Sequence, residues 1–259
     1  MKLKIGLLLL TFVFEISVIE GMALERPKGK QAAPTGEAIY QKYCSICHGS
    51  EGTGDGHAAF FMTPKPRDFS SGRFKLRSTL PGQPPLDSDL WSTVTYGMAG
   101  SLMPSFESLS DRERKEIVAY IKTLAVTEPG GKNIFTAGAR LKPIVIPPEP
   151  RVTRASLARG KELYKDLGCG DCHGNQGQGD GPSAKDLKDQ RGYAIQPTDF
   201  TRGVFKGGAE SRELYKRTVA GMDGTPMPAY GDDLITGKDR WALIHYIQSL
   251  SRDLAARGK

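Results

Sequence analysis

Residues 44–56 read CSICHGSEGTGDG, and residues 169–181 read CGDCHGNQGQGDG. Each stretch places a histidine directly after a pair of closely spaced cysteines and continues into a glycine-rich tail. All four cysteines of the 259-residue chain fall in these two stretches. Two cysteines and a histidine can form a zinc site, a redox dithiol or a haem attachment site, so the rest of the sequence must distinguish among these kinds of site.

The two stretches belong to a longer repeat. Other segments recur in the same order and at nearly the same spacing, and each member of a pair has a similar sequence. The paired segments are 65–75 with 196–206, 97–106 with 221–230, and 119–124 with 245–250. Two copies are too few for a solenoid, so we interpret the chain as a duplicated domain.

The segment between the two copies is rich in proline, which blocks helix formation and stiffens the chain. It therefore predicts an extended connector over residues 127–151. The first domain is expected at 34–126 and the second at 152–252. Two apolar residues of the connector, Ile144 and Ile146, are expected to lie against one of these domains.

Each copy predicts an all-α domain of few helices and long loops. Apolar residues at helical spacing indicate a first, a middle and a last helix in each copy. The loops between them are longer than a compact domain usually contains, which indicates that something other than side chains fills each core. The predicted helices cover about 36–43, 88–95, 157–167 and 211–220, and the last helix of each copy begins at a capping box, Ser110 with Glu113 and Thr236 with Asp239.

The N-terminus has the pattern of a secretory signal. Lys2 and Lys4 precede an apolar run at 5–14, and small residues follow at Gly21 and Ala23. Residues 1–23 are therefore predicted to be a signal peptide, with an uncleaved anchor as the alternative. Because this segment holds equal numbers of lysines and glutamates, its removal leaves the net charge of +7 unchanged.

That positive charge favours redox partners with acidic docking surfaces and speeds their encounter. Nucleic acid is a poor alternative, since an exported protein rarely meets it. We also expect no small-molecule substrate. Contact with a membrane is expected only through an uncleaved anchor or a membrane complex.

Each kind of site that the cysteine motifs could form needs its own set of ligands and neighbouring structure. A structural zinc site needs four ligands, and each motif supplies three. Disulfides, the usual use of cysteine in an exported chain, leave the two histidines as a coincidence. A thioredoxin-like dithiol or a phosphate loop needs neighbouring strands that the sequence does not indicate. Haem attachment uses every residue, because the cysteines bond to the haem and the histidine binds its iron.

Each copy also resembles a class I c-type cytochrome domain, in its first helix with an aromatic residue, its CxxCHG motif, its Met-Pro and its YIxxL helix. The resemblance implies two tandem all-α domains, each wrapped around a covalent haem. It implies haem attachment through Cys44, Cys47, Cys169 and Cys172, with His48 and His173 as proximal iron ligands.

The same resemblance implies a distal methionine before the last helix, where each copy offers two candidates. The family pattern favours Met103 and Met227, which both precede a proline. Met98 and Met222 are interpreted as core packing. Met62 has no counterpart in the second copy and is interpreted in the same way.

Several other residues could serve the haem sites. His57 and His245 each occur in one copy only, so neither is assigned to the shared haem machinery. His57 follows His48 too closely to reach the other haem face, and His245, on the last helix, is predicted to be a surface or packing residue. A proximal histidine needs an acceptor for its second ring nitrogen, and the carbonyls of Pro66 and Pro197 are candidates. A recurring aspartate–phenylalanine pair is expected to line the haem or cap a turn, with the structural role favoured: Asp68, Phe69, Asp199 and Phe200.

Histidine and methionine ligands would close both axial positions of each iron. The sequence therefore predicts a periplasmic di-haem electron carrier rather than an enzyme. The alternatives are an electron-transfer subunit of a larger respiratory oxidoreductase and a di-haem peroxidase. The peroxidase requires an open or displaceable distal position, which the repeated Met-Pro disfavours.

Overall fold

The computed structural model describes residues 33–126, 131, 133–136 and 141–251. The predicted signal segment 1–23 and part of the predicted connector lie outside these residues. The described residues from 34 to 251, which contain both copies of the repeat, belong to one structural unit. The described residues form α-helices, three short 3₁₀ helices and isolated β-bridges, which confirms the all-α prediction. No helix in this part of the chain is both long and apolar enough to cross a membrane.

Each copy contributes four α-helices. In the first copy they are α1 (Gly36–Tyr43), α2 (Ser45–His48), α3 (Asp87–Tyr96) and α4 (Asp111–Leu124). In the second they are α5 (Arg154–Asp166), α6 (Cys169–His173), α7 (Ser211–Ala220) and α8 (Gly237–Ser249). All the predicted helices are present. Helix α5 begins earlier than predicted, because the Thr153 hydroxyl caps it by accepting from the Ser156 amide at 3.0 Å.

One of the two predicted capping boxes is complete. At α4, the Ser110 hydroxyl accepts from the Glu113 amide at 3.3 Å, and the Glu113 carboxylate accepts from the Ser110 amide at 2.8 Å. At α8, Thr236 accepts from the Asp239 amide at 3.2 Å, but the return bond is missing. The prediction of a second full box was wrong because the Asp239 carboxylate instead accepts two hydrogen bonds from Arg159 on α5.

The first and last helices of each copy cross at a glycine. A Cβ atom at Gly36 on α1 would collide with the carbonyl of Glu116 on α4, and one at Gly160 on α5 would collide with that of Ala242 on α8. The missing side chains let the helix backbones touch. Buried aliphatic and aromatic residues of the crossing helices extend each contact into a separate core.

The connector contacts both copies rather than one. Ile144 and Ile146 pack against the core of the second copy, as predicted. In the same segment, however, the Ile144 amide donates to the Ser78 carbonyl at 2.8 Å, and Pro143 forms an antiparallel bridge with Thr79 of the first copy. The expectation of contact with a single domain was therefore too narrow.

Loops of the two copies also meet directly. Gln190 of the second copy donates to the Ser71 hydroxyl of the first at 3.1 Å. A Cβ atom at Gly207 would lie 2.6 Å from a methyl group of Leu76, so the backbone of one copy touches a side chain of the other. The Arg191 guanidinium donates across the boundary to the Gly54 carbonyl at 3.5 Å.

Candidate haem-binding sites

The two cysteine motifs lie on short helices that follow the first helix of each copy. Cys44, Cys47, Cys169 and Cys172 are half-buried, and none is in a disulfide. Burial raises the pKa of Cys44 to about 12 and that of Cys169 to about 11, so these thiols are neutral. Across the described residues, no three His, Cys, Asp or Glu side chains are gathered as a metal-ion site. The motifs are thus not combined into one zinc centre.

The two motif histidines are held in the same way. Nδ1 of His48 donates to the Arg67 carbonyl at 2.9 Å, and Nδ1 of His173 donates to the Thr198 carbonyl at 3.0 Å. A carbonyl can only accept, so Nδ1 carries the proton and Nε2 keeps a lone pair. Burial lowers the pKa of both histidines, which favours the neutral ring. This is the arrangement that a metal-ligating histidine requires.

The carbonyl acceptors differ by one residue from those predicted. Pro66 and Pro197 were the candidates, and in each copy the acceptor is the residue that follows the proline. The proline carbonyls instead approach the glycine-rich tails. A Cβ atom at Gly54 would lie 2.7 Å from the Pro66 oxygen, and one at Gly179 would lie 2.9 Å from the Pro197 oxygen. The tails therefore need glycine for close backbone contact.

A phenylalanine stacks on each motif histidine. The Phe69 and His48 rings lie 4.5 Å apart, and those of Phe200 and His173 lie 4.2 Å apart, with an angle of 19° in both copies. The aspartate before each phenylalanine caps the next turn, as Asp199 does by accepting from the Thr201 amide and hydroxyl. This stacking is not among the features predicted from the sequence, although the phenylalanine recurs at the same position in both copies and is a signal for it.

A tyrosine on the first helix of each copy ties that helix to the motif. The Tyr40 hydroxyl donates to the Gly49 carbonyl, and the Tyr164 hydroxyl donates to the Gly174 carbonyl, both at 2.8 Å. Each acceptor directly follows the motif histidine. The crossing helices described above therefore position the histidine.

The methionine loops have the same backbone conformation in both copies. The Met98 amide donates to the Met103 carbonyl at 3.1 Å, and the Met222 amide donates to the Met227 carbonyl at 3.2 Å. The loop of the second copy starts at Gly221, which has a φ of 68° and no room for a Cβ atom beside Pro228 and Ala229. The tight turn brings both methionines of this loop to the wall of one cavity.

That cavity has a volume of about 530 Å³. It is within the range of about 300–1,000 Å³ that is typical of cofactor sites. Its walls include Cys169, Cys172, His173, Met222 and Met227. Two cysteine thiols for attachment, with an imidazole that keeps a free lone pair and a thioether as iron ligands, are the groups that a covalent haem uses. The residues present therefore fit this cofactor.

The first copy also contributes to the walls of this cavity, through Thr63, Pro64, Lys75 and Gly100. These residues come from the two loops that join the helices of the first copy. The second site is therefore completed by the other half of the chain. No periodicity or motif in the sequence indicates this contribution.

The remaining histidines lie apart from the cavity of the second copy. His57 is exposed at the start of a 3₁₀ helix. His245 is buried on α8, and its Nε2 lies 2.9 Å from the carboxylate of Glu149 in the connector. Met62 is buried. The burial of Met62 agrees with the packing role predicted for it, and His245 proves to be a packing rather than a surface residue.

Comparisons with known proteins agree with this geometry. The family model described as "Cytochrome c" matches residues 157–251, and the one described as "Cytochrome C oxidase, cbb3-type, subunit III" matches residues 31–121. A chain of the reducing HAO-like protein complex of Kuenenia stuttgartiensis is 36% identical, with a TM-score of 0.79. The match covers 86% of this chain and 99% of that one. No curated protein sequence matches.

Each family match covers one copy of the repeat, and together the two matches indicate two cytochrome c domains. Each copy contains one haem attachment motif, so two domains carry two covalently bound c-type haems. Such domains serve haem-based electron transfer. The chain belongs to the cytochrome c family and is a tandem di-haem c-type cytochrome.

Proposed function

We propose that this cytochrome transfers single electrons between redox protein partners through two haems that are both ligated by histidine and methionine. The observation that carries the proposal is the neutral His173, whose Nε2 lone pair is free beside a cavity that Met227 also lines. The proposed attachment residues are Cys44, Cys47, Cys169 and Cys172, and the proposed axial ligands are His48, Met103, His173 and Met227.

The haem supplies a one-electron iron couple, and the axial residues of the chain determine what that couple is used for. An imidazole held by a backbone carbonyl and a thioether on a tight loop would together hold the iron, and they would leave no position for a substrate. Methionine also raises the reduction potential relative to a second histidine. These ligands favour an electron carrier over a peroxidase, which needs a displaceable distal ligand.

We propose that the protein functions in the periplasm. The predicted signal over 1–23 supports this proposal. The net charge of +7 supports docking of acidic redox partners, because complementary charge raises the rate of encounter. Transient redox complexes are small, so docking does not require a large apolar surface.

A second candidate function is that of a fixed electron-transfer subunit. The similar chain from Kuenenia stuttgartiensis belongs to a protein complex, and the match covers nearly all of that chain. The match of residues 31–121 to a family described as an oxidase subunit supports the same candidate. The native mass of the protein purified from its own cells distinguishes the two. A mass near that of the 28.2 kDa chain supports the free carrier, and a larger stable assembly supports the subunit.

The proposed ligation is tested by optical spectroscopy of the oxidised and reduced holoprotein, with carbon monoxide added to the reduced form. Two closed haems are expected to show the methionine–iron charge-transfer band in the oxidised state and to reject carbon monoxide. Rapid carbon monoxide binding by either haem would contradict the proposal. Catalysis or gas binding would then be the leading function.

A further inference from the structure

The cavity of the second copy has an excess of positive charge. Its walls contain one carboxylate, that of Asp199, which already accepts from Thr201. The cationic side chains in the walls are Lys75, Arg202, Lys206 and Arg217. A cavity with this balance of charge favours an anionic group.

Lys75 stands out because it belongs to the first copy. It is half-buried, and its pKa is lowered to about 8, first by burial and then by the positive charges of Arg67 and Lys206. Lys206 occupies the corresponding place in the second copy, since each lysine ends the recurring DFxxGxFK segment. Both lysines line the same cavity, one from each copy.

Neither lysine is paired with a carboxylate. Within the described part of the chain, Lys75 and Lys206 make no hydrogen bond and no ion pair with a carboxylate. The Asp189 carboxylate offsets part of the positive charge around Lys75, but it accepts its hydrogen bonds from the Arg191 and Tyr193 amides. Two half-buried cations without an ion-pair partner are costly, so this arrangement favours an anion from outside the polypeptide.

A c-type haem brings such anions. Its porphyrin carries two carboxylates in addition to the two groups that bond to cysteine. We propose that Lys75 of the first copy and Lys206 of the second together bind a carboxylate of the second haem. This rests on the proposed attachment of that haem through Cys169 and Cys172. The first copy would then complete the second haem site and help to determine its reduction potential.

The test is a potentiometric titration of the holoprotein, comparing Lys75→Met with the wild type. Methionine keeps the apolar stem of lysine and removes the charge. Loss of a positive charge beside the haem disfavours the added electron. We expect the reduction equilibrium constant of the second haem to fall by about tenfold, which corresponds to about 59 mV for a one-electron couple. The constant of the first haem should change less.

Three further variants make the result specific. Met227→His should lower the potential of the second haem through its axial ligand. It therefore identifies which of the two redox transitions in the titration belongs to the second haem. Lys75→Arg keeps the charge and should restore most of the wild-type value. Lys115→Gln removes the charge of a lysine whose side chain is 70% exposed on α4, and solvent screening should make its effect small.

The outcomes are distinct. The lysine assignment is overturned if the reduction potential of the second haem is unchanged in Lys75→Met, or if only the potential of the first haem shifts. A shift seen only in phosphate buffer would assign the lysines to a free anion and overturn it as well. Absence of the methionine–iron band from the wild-type spectrum would instead contradict the proposed axial ligation. Failure of the lysine assignment and failure of the proposed function can therefore be told apart.

Discussion

Arg77 of the first copy and Asp223 of the second form an ion pair across the boundary between the two halves. Nη1 of Arg77 lies 2.7 Å from the Asp223 carboxylate, and its Nη2 donates to the Ala220 carbonyl at 2.8 Å. The Arg77 side chain is 6% exposed. Asp223 directly follows Met222 at the start of the loop that ends at Met227. The pair therefore joins the first copy to the loop that carries the proposed distal ligand of the second haem.

Replacing Asp223 with alanine should weaken this connection. The buried guanidinium of Arg77 would lose its carboxylate partner, at a cost of about 2 kcal/mol of unfolding free energy. Urea unfolding of the holoprotein measures this loss. Glu162→Gln is the control, because the Arg159–Glu162 pair is exposed on one helix surface and should contribute little. Equal stability of the two variants would show that the buried Arg77–Asp223 pair does not stabilise the fold.

Gly160 tests the crossing of α5 and α8. Alanine normally stabilises a helix interior relative to glycine by about 0.5–1 kcal/mol. Here the added methyl group would collide with the Ala242 carbonyl, so we expect Gly160→Ala to lose about 1–3 kcal/mol. Urea unfolding of the holoprotein gives the sign directly. A gain in stability would mean that the helices do not touch at this position.

Tyr164 tests the tie between α5 and the haem motif. Tyr164→Phe removes the donor to the buried Gly174 carbonyl and should cost about 1–2 kcal/mol. Tyr246→Phe on α8 is the matched control, because the Tyr246 hydroxyl makes no hydrogen bond within the described part of the chain. Thermal unfolding should show a clearly larger loss for Tyr164→Phe. An equal loss of thermal stability in both variants would show that the Tyr164–Gly174 hydrogen bond does not stabilise the fold.

Met227 tests the distal ligand. Met227→His should remove the methionine–iron band of one haem and lower the potential of that haem, because histidine replaces the ligand that raises it. Met222→Leu should keep both bands, since Met222 is interpreted as packing. Oxidised-state spectra of the two variants decide between these methionines. Loss of a band in Met222→Leu, with Met227→His unaffected, would exchange their roles.

Arg159 and Asp239 predict a dependence of stability on pH. Hydrogen bonding from Arg159 lowers the pKa of Asp239 below its usual value. The stabilisation is therefore complete above the pKa of the unfolded state, about 3.9, and is lost as the pH falls through the lower folded value. Asp239→Asn should melt at a lower temperature than the wild type at neutral pH. Calorimetry at successively lower pH below about 3.9 should find the difference shrinking as Asp239 is protonated, and a constant difference would contradict this pairing.

The local features of the haem sites follow from the order of residues along the chain. A histidine directly after the second cysteine, a tyrosine four or five residues before the first, and Ser110 three residues before Glu113 act over short distances. Short-range geometry determines helix starts and motif loops, and its repetition in both copies made these features recognisable. The first, middle and last helices of both copies were predicted on that basis, most of them to within three residues, whereas the short motif helices α2 and α6 were not predicted.

Features that depend on distant neighbours were not predictable in this way. The acceptors of the two motif histidines were displaced by one residue because the proline carbonyls pack against the glycine-rich tails. The capping box at α8 is half-formed because Arg159 of another helix competes for Asp239. Both corrections come from contacts between segments far apart in the chain.

The duplication, the all-α class and the nature of the cofactor can be read from the order and spacing of residues, because attachment to haem depends on five consecutive positions. The joining of the two halves depends on folding. Only the folded chain places Lys75 of the first copy in the wall of the second cavity and Arg77 against Asp223. Such contacts depend on the complementary shape and charge of surfaces that are distant in sequence, and no local pattern encodes them.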